Sequence, residues 1–228
     1  MQRILLIRHG ECYMNLELAD KIGGRSNASR LTPLGEAQSV ALGRHLRATL
    51  CPPAAELRCF SSTARRALDT GRIVLEELGM DPAGLAASEA LLEQDMGDWE
   101  GAPRADCYTP ANLALIAADT HGFAAPGGES QLAVEERMMR HLLGAVLEAA
   151  PPGRAPALVV GHGMAFKCVL RPILGSDARM SRKIALHNTA ITEIGWVAAG
   201  AGGGLQPGWH ILSVNSTPHL AAQVGARP

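Results

Sequence analysis

The sequence lacks an apolar run long enough to cross a membrane, and it also lacks a surplus of charge of one sign. A membrane-spanning helix needs about 20 mainly apolar residues, so none is predicted. The 228-residue chain has 21 basic and 22 acidic residues and a net charge of −1. No overall field therefore favours nucleic acid or an anionic membrane as a partner, and an anionic ligand would need a local cluster of positive side chains.

Cysteines are few, and their pattern is not that of a disulfide framework. The five cysteines include no C-x-x-C pair and form no zinc-binding spacing. We therefore expect free thiols in a reducing compartment. Because Met1-Gln2-Arg3 lead straight into an apolar run, we expect no signal peptide. A cytoplasmic protein is predicted, with an organelle such as the chloroplast as the alternative if a transit peptide has been trimmed.

Short apolar runs alternate with amphipathic stretches and indicate an α/β protein. Helices are predicted after Thr32-Pro33, over 63–78, along a stretch with Leu132 and Met138 on its apolar side, and through Phe166 to Leu174. Strands are predicted at residues 4–7, 57–60, 85–88, 157–160, 190–197 and 208–214. This alternation predicts a three-layer α/β/α fold with a mostly parallel central sheet.

Three stretches do not show a clear period. Residues 12–31 are predicted to be irregular, and the Gly-rich residues 198–204 are predicted to form a flexible loop between two strands. Residues 101–128, broken by prolines and glycines, are predicted to form an irregular, lid-like insertion. The length suits one domain spanning 1–228.

Residues suited to phosphoryl transfer follow the predicted strands. Arg8 and His9 follow the first strand, Arg65 and Arg66 follow the second, and His162 follows the strand at 157–160. Ligands of parallel sheets bind at the carboxyl ends of the strands, so we expect these side chains to share one site. Taken singly, each has a structural explanation, such as a turn or a solvated helix face.

The chemistry of phosphoryl transfer requires side chains of these types. A neutral imidazole such as His9 can attack phosphorus, while cationic groups hold the non-bridging oxygens. A carboxylic acid such as Glu93 can protonate the leaving oxygen. Gly163 would let backbone N–H groups approach an anion at a helix N-terminus.

Several motifs occur in a fixed order along the chain. They are Arg8-His9-Gly10-Glu11 with Asn15, Leu31-Thr32-Pro33-Leu34-Gly35, Ser61-Ser62 with Arg66-Ala67 and Thr70, Leu92-Glu93 with Gly97-Asp98-Trp99-Glu100-Gly101, Gly127-Gly128-Glu129-Ser130, and Gly161-His162-Gly163. Together they resemble the histidine phosphatase superfamily, in the branch that contains cofactor-dependent phosphoglycerate mutase and the fructose-2,6-bisphosphatases. Gly161 departs from the pattern, because serine is usual there.

The resemblance implies a phosphoglycerate mutase-like fold and a set of residue roles. His9 would be the nucleophile and Glu93 the general acid and base. Arg8, His162 and Arg66, rather than Arg65, would hold the phosphoryl group. Substrate or phosphate binding is expected of Asn15, Arg25, Gly163 and Glu11. No metal and no cofactor are expected, since the sequence shows no carboxylate cluster that would bind a metal.

The same chemistry could serve hydrolysis or internal transfer. The segment from Glu93 to Gly101 resembles the phosphatase pattern more than the mutase pattern. We therefore expect a phosphatase for a small phosphorylated metabolite, such as a sugar phosphate or a phosphoacid. Phosphoglycerate mutase-type transfer and a non-catalytic phospho-ligand binder are the alternatives. The oligomeric state, the substrate and the roles of four basic residues stay open: Lys21, Arg30, Arg137 and Arg171.

Overall fold

A computed structural model of the protein describes residues 1–16, 20–27, 29–50, 57–149, 155–200 and 205–221. Cys51 and the last four residues of the predicted flexible loop, 201–204, lie outside them. The strands are β1 (Gln2–Arg8), β2 (Arg58–Ser62), β3 (Ala86–Ser88), β4 (Ala157–Gly161), β5 (Ile191–Val197) and β6 (Gly208–Ser216). Within this part of the chain, they form a six-stranded sheet in the order β3-β2-β4-β1-β5-β6.

The sheet is mixed, and its first four strands are parallel. β4 pairs in parallel with β1 and β2, and β2 pairs in parallel with β3. β5 and β6 form an antiparallel edge. All six strands were predicted, and the prediction of a mostly parallel sheet is confirmed.

Helices cover both faces of the sheet. The helices are α1 (Tyr13–Leu16), α2 (Pro33–Thr49), α3 (Arg65–Glu77), α4 (Arg104–Cys107), α5 (Pro110–Ala118), α6 (Gln131–His141), α7 (Leu147–Ala149) and α8 (Gly163–Leu174). One apolar core joins the sheet to α6 and α8, and a second joins it to α2 and α3. The predicted three-layer α/β/α architecture is therefore confirmed. Within the described residues, no helix has the length and apolar character needed to cross a bilayer.

Local sequence explains how two of the helices begin and pack. Thr32 caps α2 by accepting a hydrogen bond from the Gly35 N–H, as predicted from Thr32-Pro33. In α6, Val134 and Met138 are buried, and Leu142 continues the same face into a π-helical turn. Leu132 was predicted on this face, but it is exposed, because it precedes Val134 by two residues and so points away.

The two stretches predicted to be irregular contain short helices. α1 lies within 12–31, and α4 and α5 lie within 101–128. The second stretch folds over a small apolar cluster that is separate from the two main cores. This cluster consists of Ile22, Trp99, Cys107, Ile116 and Ala125. Residues of 101–128 thus share a small core with Ile22 and Trp99.

The register of the parallel strands determines which residues meet at the carboxyl ends of these strands. Arg8 pairs with Gly161 across β1 and β4, and Ser61 pairs with Val160 across β2 and β4. His9 and His162 directly follow paired residues, and Arg66 lies on the first turn of the helix after β2. The carboxyl ends of three parallel strands thus bring these side chains to one place.

Candidate active site

A cavity of about 420 Å³ opens at the carboxyl ends of the strands. We call it the phosphoryl cavity. Six of the residues predicted from the sequence line it: Arg8, His9, Asn15, Arg66, Glu93 and Gly163. The structure therefore brings together most of the predicted site residues.

His9 has the orientation of a nucleophile. Its Nδ1 lies 2.7 Å from the Gly10 carbonyl oxygen, which can only accept, so Nδ1 carries the proton and Nε2 keeps its lone pair. Burial, followed by the charges of Arg66 and Arg8, holds the pKa of His9 well below its usual value. The ring is therefore neutral near pH 7. Asn188 fixes its backbone by donating to the His9 carbonyl at 2.9 Å.

His162 lies behind His9, with 5.3 Å between the ring centroids. Its Nε2 lies 2.8 Å from Ser62 Oγ, which also accepts the Ala64 N–H. We infer that the serine hydroxyl donates to Nε2 and that Nδ1 carries the ring proton. Nδ1 is buried without a partner in the described structure, so it is a donor that an anion could satisfy.

Gly161, the residue that departs from the family pattern, directly precedes His162. Serine is usual at the position of Gly161, where a Cβ would lie 2.8 Å from the Phe166 ring. The Phe166 side chain therefore leaves no room for serine. The hydroxyl contact to His162 comes from β2 instead.

Arg8 and Arg66 provide the positive charge of the phosphoryl cavity. Arg66 is 5% exposed and donates to the carbonyls of Ser26 and Gly24, at 2.7 Å and 3.1 Å. Arg8 donates to the Leu186 carbonyl at 2.6 Å, and its buried Nε has no hydrogen-bond partner among the described residues. Both guanidinium groups are therefore fixed in position and can receive the oxygens of an anion.

Both the side-chain carboxylate and the backbone carbonyl of Glu93 are hydrogen-bonded. Its carboxylate accepts the N–H groups of Met164 and Ala165, at 3.0 Å and 2.8 Å, at the start of α8. Its carbonyl oxygen accepts from Arg25 and Arg137. Gly163, which was predicted to let backbone N–H groups approach an anion, lines the phosphoryl cavity, and the next two N–H groups of α8 bond to the Glu93 carboxylate.

Three predicted site residues do not line the phosphoryl cavity: His162, Arg25 and Glu11. Arg25 forms ion pairs with Glu129 at 2.7 Å and with Asp95 at 3.5 Å, so it ties its loop to the segment of Glu93. Glu11 is buried and accepts from Thr32 Oγ1 at 2.9 Å, so it supports the start of α2. The side chains of Arg25 and Glu11 thus have partners within the protein, and their part in substrate binding stays a prediction.

The four basic residues whose roles the sequence did not determine have different surroundings in the structure. Lys21 lines the phosphoryl cavity. Arg137 pairs with Glu129, and Arg171 pairs with Glu135, so both serve internal ion pairs. Arg30 is exposed and lies 5.3 Å from the centre of the Tyr13 ring.

Lys167 is a cavity residue that the sequence analysis missed. It lies on α8 four residues after Gly163, so both occupy one helix face and line the phosphoryl cavity. Burial, with Arg8 nearby, lowers the pKa of Lys167. The four-residue spacing from Gly163 could have indicated that Lys167 faces the same cavity. A single lysine on a helix is usually exposed to solvent, so the spacing alone did not predict a site residue.

The neutral histidines predict a dependence of stability on pH. The pKa of His9 is lowered from its usual value of 6.5 in the folded protein, so the unfolded chain binds the proton more readily. The stability contributed by the neutral ring is complete above about pH 6.5 and is lost as the pH falls. In His9→Ala, the free energy of unfolding should therefore decline less steeply from pH 6.5 to 5, by up to about 1.4 kcal/mol per pH unit. Denaturant titrations measure both slopes, and equal slopes would contradict the buried neutral state.

The fold and the site define a class: an α/β protein with a cavity lined by a neutral histidine, two arginines and a glutamate. A family model, the histidine phosphatase superfamily (branch 1), matches residues 4–202. The chain belongs to this superfamily, whose members are phosphatases or mutases.

Named relatives include enzymes of both kinds. Probable phosphoglycerate mutases of Yersinia pestis and Yersinia pseudotuberculosis are 31% identical over 228 residues, covering 96% of this chain and 95% of their own. A phosphoserine phosphatase structure from Entamoeba histolytica has a TM-score of 0.76 at 24% identity, covering 96% of this chain and 100% of its own. For a mycobacterial glucosyl-3-phosphoglycerate phosphatase, the TM-score is 0.73 at 24% identity, with coverage of 95% and 100%. These two structures show the shared fold.

Proposed function

We propose that the protein is a metal-independent phosphatase that hydrolyses the phosphomonoester of a small metabolite through a phosphohistidine on His9. The observation that carries this proposal is the Nδ1 contact of His9 with the Gly10 carbonyl, which leaves Nε2 as the nucleophilic nitrogen. Arg8 and Arg66 beside it supply positive charge for the phosphoryl oxygens.

In the first step, the Nε2 lone pair of His9 forms a bond to phosphorus while the bond from phosphorus to the ester oxygen breaks. Glu93 transfers its proton to the departing oxygen, so the alcohol leaves neutral. Oε1 of Glu93 accepts two backbone N–H groups and Oε2 accepts one. Oε2 therefore keeps a lone-pair position for the proton.

In the second step, Glu93 takes a proton from water as the water oxygen attacks phosphorus. The bond from phosphorus to Nε2 breaks, which releases phosphate and restores neutral His9. The buried Nδ1 of His162 and Nε of Arg8 are donors for the phosphoryl oxygens in both steps. Side chains of the protein thus stabilise the negative charge of the phosphoryl oxygens.

The choice of hydrolysis over transfer rests on the segment that follows Glu93. Gln94, Met96 and Trp99 are uncharged and line the space next to Glu93. These three side chains offer no cation for the carboxylate of a phosphoglycerate, although Arg104 and Arg182 line the same space. The alternative, a mutase, would need a bisphosphorylated primer.

Phosphate release from p-nitrophenyl phosphate, measured in the presence of a metal chelator, tests the proposal. We expect turnover that the chelator does not reduce. A failure to release phosphate, together with isomerisation of phosphoglycerate stimulated by trace 2,3-bisphosphoglycerate, would establish the mutase instead. Binding of the ester without either reaction would establish a non-catalytic binder.

Lys167→Met should weaken the use of phosphate esters. Lys167 adds positive charge beside Arg8, so its loss should lower kcat/KM about tenfold, the equivalent of about 1.4 kcal/mol. Lys183→Met, at an exposed position, is the matched control and should change kcat/KM less than twofold. Steady-state kinetics at low ionic strength measure both variants. Equal effects would show that Lys167 contributes only to net charge.

A further inference from the structure

A second cavity adjoins the phosphoryl cavity on the side of Glu93. Its volume is about 270 Å³, and Glu93, Met164, Gly23 and Gly24 are among the residues that line both. An ester whose phosphorus faces His9 places its leaving oxygen beside the acid, and therefore beside Glu93. The alcohol part of the substrate is then directed into the second cavity, which we call the leaving-group cavity.

Apolar side chains form much of the wall of the leaving-group cavity. They include Ile22, Met96, Trp99, Tyr108, Ile116 and Phe123. The Trp99 ring lies 5.6 Å from that of Tyr108 and 5.8 Å from that of Phe123, measured between centroids. An aromatic wall of this kind favours a flat, apolar group, because such a group buries the largest area against it.

The wall of the leaving-group cavity also carries six polar side chains besides Glu93. Four of them are neutral: Gln94, Thr120, Gln131 and Ser181. The cations are Arg104, which lies 6.0 Å from the centre of the Tyr108 ring, and Arg182. A sugar or a three-carbon acid would leave most of the aromatic wall in contact with water.

We infer that the substrate is a phosphomonoester whose leaving alcohol is mainly apolar and carries a ring. A volume of about 270 Å³, at roughly 30 Å³ for each water-sized group, holds about nine or ten non-hydrogen atoms. This inference rests on the proposed phosphatase function and narrows its substrate class. Sugar phosphates and phosphoacids, expected from the sequence, become the disfavoured substrates.

A set of esters with primary alcohols tests the inference. Ethyl phosphate, 2-phenylethyl phosphate and 3-phosphoglycerate all release a primary alcohol, so differences in leaving-group acidity are small. We expect kcat/KM for 2-phenylethyl phosphate to exceed that for ethyl phosphate about 50-fold, the gain from burying roughly 100 Å² of phenyl surface. The value for 3-phosphoglycerate should not exceed that for ethyl phosphate.

Two variants test whether the preference arises in this cavity. Thr120→Phe fills it and should lower the ratio of kcat/KM for 2-phenylethyl over ethyl phosphate at least tenfold. The ratio is unaffected by any fraction of unfolded enzyme, since that fraction cancels. Leu115→Ala, on the exposed side of the same helix α5 as Ile116, is the control and should leave the ratio unchanged.

The outcomes separate the inference from the function on which it rests. A wild-type ratio near one, a preference for 3-phosphoglycerate, or an unchanged ratio in Thr120→Phe would overturn the apolar leaving group while the phosphatase proposal stands. If no ester is hydrolysed and no phosphohistidine forms, the proposed function fails and the inference fails with it.

Discussion

Replacing His9 by alanine should abolish phosphate release, with a fall in kcat of at least about 10⁴-fold. The variant removes the one protein atom that bonds to phosphorus in the proposed mechanism. It leaves Arg8, Arg66 and Glu93 in place, so the substrate should still bind. Phosphate release at saturating p-nitrophenyl phosphate measures the effect, and ligand-induced thermal stabilisation checks that the cavity is retained.

The matched control for this variant is His210→Ala. His210 lies on the antiparallel edge strand β6 and bonds to the Gln206 carbonyl, away from the phosphoryl cavity. Its loss should leave kcat within twofold of the wild-type value. Retention of more than about one hundredth of the activity in His9→Ala would rule out His9 as the nucleophile.

Replacing Glu93 by glutamine should slow esters of poor leaving groups by about 10² to 10⁴-fold. Glutamine keeps a carbonyl oxygen for the N–H groups of Met164 and Ala165, so its position should be retained. It cannot donate the proton that an alkoxide needs. An aryl phosphate such as p-nitrophenyl phosphate leaves as a stable anion, so its first step should be affected far less.

The decisive measurement for Glu93 is the ratio of the two rates of phosphohistidine formation, with alkyl and aryl esters, in single-turnover experiments. Glu89→Gln is the control, because Glu89 is exposed shortly before Glu93 in the chain. If Glu93→Gln slows both esters equally, the carboxyl group acts in positioning or binding, and another group supplies the proton.

The sequence predicted the centre of this site well, because its parts lie at the ends of strands. The apolar runs before His9 and His162 show a regular local pattern, and parallel pairing then requires their ends to meet. The N-cap at Thr32 is also local, since it depends on residues three positions apart. Features of this kind can be read along the chain without coordinates.

The outer parts of the site could not be predicted in the same way. Arg25 was expected to bind substrate, but its partner Glu129 lies more than a hundred residues further on, and no local pattern encodes that choice. Lys167 was missed because only the direction of α8 turns it toward Arg8. The leaving-group cavity depends on how α5 folds over Trp99, which is a tertiary contact between stretches without a clear period.

If a phosphoryl group passes through His9, a phosphohistidine forms during each turnover and can be trapped. A radiolabelled phosphomonoester is mixed with enzyme, quenched with base within one turnover, and the labelled peptide is identified. The account predicts stoichiometric label on His9, stable to base and labile to acid, and none in His9→Ala. Label on another residue, or phosphate release with no labelled enzyme at any time, would contradict it.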